Sequence, residues 1–122
     1  MARYSQKVFP KKTVMKKVFF LLPLLFIAFP VSANTSVSGV ISSDTTWSPL
    51  SGIYVLETMV TVPAGVILTI EPGTIIKSKL RSTGLDIYGA LIARGNTSDP
   101  IYFTSFQDDT IGGDTNDDGA SS

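Results

Sequence analysis

Short runs of alternating apolar and polar residues, separated by turn residues, most constrain how this chain can fold. Such runs occupy residues 60–62, 68–70, 85–87 and 101–103, each with apolar side chains at every second place. Alternation with a period of two is typical of β-strands with one buried face. Val, Ile and Thr are abundant from residue 34 onward, a composition that favours strands. The sequence therefore predicts an all-β fold.

The runs also repeat along the chain. Residues 68–77 align with residues 85–94 at a shift of 17, and residues 101–103 follow at a further shift of 16. Two apolar columns result, one of Leu68, Leu85 and Ile101 and one of Ile70, Ile87 and Phe103. A repeated strand–turn unit with apolar residues in register is typical of a β-solenoid. An antiparallel β-sandwich, which needs no fixed shift, is the alternative.

Three strings, residues 60–77, 91–95 and 100–105, carry a resemblance to a known group. Over residues 40–119 the chain resembles the N-terminal coils of secreted bacterial surface proteins with a right-handed parallel β-helix, related in fold to pectate lyases. The resemblance implies short parallel strands that pair between coils, with apolar residues stacked inside. Binding would then take place on the outer faces and in the turns. The shifts of 16 and 17 are short for a coil of that group.

The charges are sorted by position along the chain. Positions 1–17 hold six basic side chains and no acidic one, and positions 18–33 form an uncharged apolar stretch that ends in Val31-Ser32-Ala33. This order predicts a secretory signal peptide over residues 1–33, cleaved after Ala33, with Met15 as a second candidate start. A membrane anchor is the alternative, but prolines interrupt a stretch shorter than a spanning helix needs. We therefore expect a secreted or cell-surface protein that meets the membrane only through its uncleaved signal.

The remaining chain divides into three predicted segments. Residues 34–59 are irregular and aromatic enough to form an N-terminal cap, and residues 60–106 hold the β-helix coils. Residues 107–122, the acidic loop, are rich in Asp and Gly. A solenoid needs a cap at each end, and the acidic loop does not resemble one. We therefore expect a truncated loop and a chain that is the N-terminal part of a longer β-helix protein.

The composition excludes several kinds of chemistry. The chain has no histidine and no cysteine, which excludes thiol catalysis, His-based triads, Cys/His zinc sites and disulfides. Residues 34–122 contain four basic and ten acidic side chains, a net charge of −6 that argues against nucleic-acid binding. Lys77, Lys79 and Arg81 cluster beside a turn, which indicates a solvated strand edge that discourages further pairing.

The acidic loop contains the strongest metal-binding pattern. Asp114, Asn116 and Asp118, followed by Gly119, match the start of the D-x-[DN]-x-[DN]-G calcium loop. Alternate side chains would supply oxygens to one hard cation, and the glycine would allow the sharp turn. The acid that closes such a loop at position 12 would fall beyond Ser122. The site would then need another acid, from among Asp108, Asp109 and Asp117. A solvated acidic turn without metal is the alternative.

Two functions follow from these patterns. The preferred one is an exported, non-catalytic β-helix module, structural or adhesive, whose outer faces contact carbohydrate or a cell-surface protein. The alternative is the N-terminal fragment of a polysaccharide lyase or hydrolase. A lyase needs acidic calcium ligands with an Arg or Lys nearby as base. Arg94 is the basic residue amid strand-like sequence, and no acidic pair accompanies it, so we assign no catalytic residue.

Overall fold

The computed structural model describes residues 33–119, which contain eight strands and one short 3-10 helix, Pro49–Ser51. The strands are β1 (Thr35–Val40), β2 (Thr45–Trp47), β3 (Tyr54–Val62), β4 (Ile67–Ile70), β5 (Ile75–Ser78), β6 (Leu85–Ile87), β7 (Ala90–Ala93) and β8 (Tyr102–Ser105). The predicted signal peptide, except for Ala33, and residues 120–122 lie outside the described residues. In residues 33–119, no helix is long and apolar enough to cross a membrane.

The strands form two parallel sheets. Sheet A has the order β1-β3-β5-β8, and sheet B has the order β2-β4-β7. The long strand β3 pairs with β5 through its first half and with β6 through its second half. Neighbouring strands are not consecutive in sequence because the chain completes a coil before it returns to the same sheet. The result is a parallel β-solenoid of about three turns, which confirms the predicted fold class.

The predicted repeat length, however, is wrong. In sheet B, Thr45 pairs with Leu68 and Leu68 pairs with Leu91, so that both steps are equal and both are longer than the predicted shift. In sheet A the steps differ, since the step from Thr35 to Tyr54 is shorter than the step from Ile75 to Tyr102. The predicted shift aligns a strand of sheet B with a strand of sheet A, because similar strand–turn units occur twice within one coil.

Both predicted apolar columns are corrected by the same finding. Leu68 lies beside Leu91 and not beside Leu85, which pairs with Val60. Phe103 lies beside Ile76 in sheet A. In sheet A the spacing between paired strands differs from coil to coil, so that no constant shift brings its equivalent residues into register.

The coils begin earlier than predicted. Residues 34–59, expected to form an irregular cap, contain β1, β2 and the first part of β3, all of them paired in the parallel sheets. The rings of Trp47 and Tyr54 stack at a centroid distance of 4.8 Å, and both side chains belong to the core. The aromatic residues therefore fill the coil and do not cover its end.

The core lies in the first two coils and the start of the third. Its buried members are Trp47, Tyr54, Leu56, Val60, Val62, Leu68, Ile70 and Ile76. The last coil differs, since every residue of β7 is exposed and Phe103 of β8 is 53% exposed. Within the described residues, β7 and β8 each pair on one side only. Apolar burial therefore decreases toward the last coil.

Candidate functional site

The acidic loop, described as far as Gly119, folds back over the outer face of sheet A. Lys77 of β5 makes the central contact, and its side chain is fully buried. Its neighbour Ile76 belongs to the core, and successive residues of a strand point to opposite faces. Lys77 therefore lies on the face away from the core, between the sheet and the loop.

The ammonium group of Lys77 holds the loop through three hydrogen bonds. Nζ donates to the carbonyl oxygen of Asp108 at 2.7 Å, to that of Gly113 at 2.9 Å and to Thr115 Oγ1 at 2.5 Å. An ammonium has three N–H donors, so each one meets an oxygen here. The expectation of a solvated basic edge was wrong for Lys77, whereas Lys79 and Arg81 are exposed.

A close apolar contact lies beside these hydrogen bonds. Gly112 approaches the sheet so closely that an added Cβ would lie 2.8 Å from Ile53 Cδ1 and 3.2 Å from Ile75 Cδ1. Its φ of 76° is also in the left-handed region, which glycine adopts at low cost. Both the space and the backbone conformation thus favour glycine at this position.

Asp108 shapes the start of the loop. Its carboxylate accepts hydrogen bonds from Thr104 Oγ1 at 2.5 Å and from the hydroxyl and amide of Thr110 at 2.5 and 3.0 Å. These bonds, with that from Thr104 the most important, lower the pKa of Asp108 to about 2. The Asp108 side chain therefore stabilises the turn that leads into the loop.

Three carboxylates converge farther along the loop, and we call Asp109, Asp114 and Asp118 the acidic cluster. Each offers one oxygen, and these oxygens all lie within 4.8 Å of one another. Both carboxylate oxygens of Asp109 are buried, while Asp114 and Asp118 are exposed. Like charges at this separation repel one another, and a bound cation would relieve the repulsion. The acidic cluster could therefore hold a metal ion.

The structure brings the residues of the predicted calcium pattern together. Asp114 and Asp118 lie in the acidic cluster, and Asn116 Nδ2 donates to Asp118 Oδ2 at 2.6 Å. Asn116 Oδ1 is buried and accepts no hydrogen bond from any described residue. The amide of Gly119 donates to Asp114 Oδ2 at 3.0 Å, which closes the turn that the glycine of the motif predicted. Metal binding itself stays a prediction.

The acid that joins the predicted residues is Asp109. The sequence alone leaves Asp108, Asp109 and Asp117 as equivalent choices. The carboxylate of Asp108 already accepts hydrogen bonds from two threonines, Thr104 and Thr110. Asp117 is exposed, has a left-handed φ of 57° and lies outside the acidic cluster. The fold therefore distinguishes acids that the sequence could not rank.

A second surface feature is an open groove of about 770 Å³ at the ends of β5 and β8. Polar and basic side chains, among them Lys79 and Arg81, line it. Lys79 is also paired with Glu57 at 2.7 Å, and this hydrogen bond lowers the pKa of Glu57. The pair is partly exposed on both sides, so water screens it.

Comparison with known protein families, curated proteins and solved structures finds no match to the chain. The fold class therefore rests on the strand pairing in the structure. A parallel β-solenoid is compatible with the resemblance to β-helix proteins, but no relative supports a closer link to the pectate-lyase-like group.

Proposed function

We propose that the protein is an exported, non-catalytic β-solenoid module, structural or adhesive, whose acidic loop binds calcium. The convergence of the three carboxylates of the acidic cluster within 4.8 Å carries this proposal. Calcium takes six to eight oxygen ligands from carboxylates, amide carbonyls and water. The acidic cluster and Asn116 Oδ1 would supply four, and water would complete the shell.

The kind of donor favours calcium over other common metal ions. All the candidate ligands are hard oxygens, and the chain has no histidine or cysteine to favour zinc or copper. Magnesium demands a near-ideal octahedron, whereas calcium tolerates irregular arrangements such as a loop provides. Modules outside the cell bind calcium with dissociation constants of about 10⁻⁴–10⁻³ M, the range expected for a partly exposed site.

The environment of Lys77 supports a non-catalytic role. A lyase needs a basic group beside its calcium that can reach the sugar and take a proton. Lys77 lies beneath the loop that carries the acidic cluster, but its side chain is fully buried and its protons are bonded to the loop. The Lys77 ammonium is therefore well placed to hold the loop and poorly placed to contact a polysaccharide.

Export and the kind of partner form the second part of the proposal. The predicted signal peptide and the resemblance to secreted β-helix proteins support a secreted or cell-surface location, with carbohydrate or a surface protein as partner. The alternative polysaccharide lyase makes a different prediction, since purified protein with calcium would then release unsaturated products from pectate or alginate. We expect no such products in an absorbance assay.

Isothermal titration with calcium tests the metal site. The purified protein should bind with a dissociation constant of about 0.1–1 mM. D118N should weaken binding at least tenfold because it removes a carboxylate of the acidic cluster. D117N is the matched control, since it removes the same charge one residue away on an exposed side chain and should change affinity less than twofold. No binding by the unmodified protein at several millimolar calcium would overturn the proposal.

A further inference from the structure

The three acceptors of Lys77 lie next to the acidic cluster in sequence. Asp108 directly precedes Asp109, and Gly113 and Thr115 lie on either side of Asp114. Two of the hydrogen bonds of this ammonium therefore hold backbone carbonyls, one on the first arm of the loop (residues 108–109) and one on the second arm (residues 113–115). The third holds the Thr115 hydroxyl on the second arm, and each acceptor lies beside a carboxylate of the acidic cluster. The two arms are brought together on the outer face of β5.

We propose that Lys77 is the positioning residue of the acidic cluster, a buried cation that joins the two arms of the loop and so brings the carboxylates together. This inference rests on the proposed calcium site. Without the tether, the glycines at 112 and 113 would give the loop many conformations, and the like charges would favour those in which the carboxylates are apart.

The chemistry of lysine suits this role. A charge in a buried position is stable only when hydrogen-bond partners replace its water, and each of the three donors of Lys77 has an oxygen acceptor in the loop. The acceptors are two backbone carbonyl oxygens and one hydroxyl oxygen, so these three hydrogen bonds do not use the carboxylate oxygens of the acidic cluster.

The sign of the effect on calcium affinity separates positioning from simple electrostatics. A positive charge near a cation site repels the cation, so its removal alone should strengthen calcium binding. Positioning predicts the opposite, because a loop that has lost its tether must be ordered before the metal can bind. Loss of Lys77 should therefore weaken binding although it removes a repulsive charge.

The test compares K77M with K79M. Methionine keeps much of the length of the lysine stem and removes the three donors. K79M removes the same charge from an exposed side chain two residues away, and its partner is Glu57, outside the loop. The measurements are calcium titration and, without calcium, hydrogen exchange of the amides in residues 108–119 and in β3. K77M should raise exchange in the loop and weaken calcium binding, each at least tenfold, with β3 unchanged, while K79M should change neither.

The two proposals fail in different ways. If the unmodified protein binds no calcium, the proposed function fails, and faster loop exchange in K77M would still show that Lys77 holds the loop. If the unmodified protein binds calcium and K77M binds it equally or more tightly, the positioning role is overturned. If K77M also raises exchange in β3, the variant disturbs the coils, and T115V then tests the positioning role. T115V removes one acceptor of the Lys77 ammonium and keeps the lysine. T115V should weaken calcium binding severalfold, and unchanged binding would contradict the inference.

Discussion

The coils and the acidic loop are stabilised in different ways. The coils are stabilised both by parallel strand pairing and by fully buried side chains such as Leu56 and Val60. The loop is held by one buried lysine, one close glycine contact and a few side-chain hydrogen bonds. A change in a coil is shared among many contacts, whereas a change in the loop removes much of what fixes it. The candidate site thus depends on individual side-chain contacts, whereas the coils also share the hydrogen bonds of strand pairing.

The largest expected effect lies in the coils, at the paired positions Leu68 and Leu91. L68A removes a fully buried side chain and should lower the free energy of unfolding by about 2–5 kcal/mol. L91A makes the same change on the last coil, where the side chain is 39% exposed, and should cost about 1 kcal/mol or less. Urea denaturation followed by circular dichroism measures both. Equal costs would contradict the decrease in burial from the first coils to the last.

A smaller, local effect is expected at the start of the acidic loop. The pKa of Asp108 is about 2, below its ordinary 3.8, because the ionised form accepts hydrogen bonds from Thr104 and Thr110. This stabilisation is fully present above pH 3.8 and is lost as the pH falls through about 2. T104V should raise the pKa of Asp108 toward its ordinary value, as followed by NMR of the side-chain carboxyl carbon. T58V, an exposed threonine in β3, serves as control, and an unchanged Asp108 titration in T104V would refute the assignment.

The fold class could be predicted because alternation reports burial directly. Residues 60–62 and 68–70 each place two buried side chains around one half-buried polar residue, as their sequence pattern indicates. The register could not be predicted, since it depends on turn lengths to which the alternation is insensitive. Residues 34–59, with Trp47 and Tyr54, are irregular and aromatic in sequence, which favours a cap, because the pairing of their strands in the parallel sheets becomes visible only in the fold.

The residues of the candidate site also divide into those that the sequence predicts and those that only the fold brings to the site. Asp114, Asn116 and Asp118 are close in sequence, and a local spacing rule finds them. Asp109 and Lys77 join them only through the fold. The sequence does not rank Asp109 above Asp108 or Asp117, and Lys77 lies far from the acidic loop in sequence, on β5. One local signal was present, since Lys77 follows two isoleucines in β5 without polar alternation. Such a run is typical of a strand that is covered on both faces.

A cross-link tests most directly whether the acidic loop is docked on the outer face of sheet A. The chain has no cysteine, so I53C/G112C introduces the only thiols. An added Cβ at Gly112 would lie against Ile53, whose Cδ1 the I53C change removes, whereas one at Gly113, with a similar φ of 81°, would meet no atom within 4 Å. Under mild oxidation, followed by mass spectrometry, I53C/G112C should form an intramolecular disulfide at least tenfold faster than I53C/G113C. Equal rates for the two pairs would contradict the docked loop and the acidic cluster that depends on it.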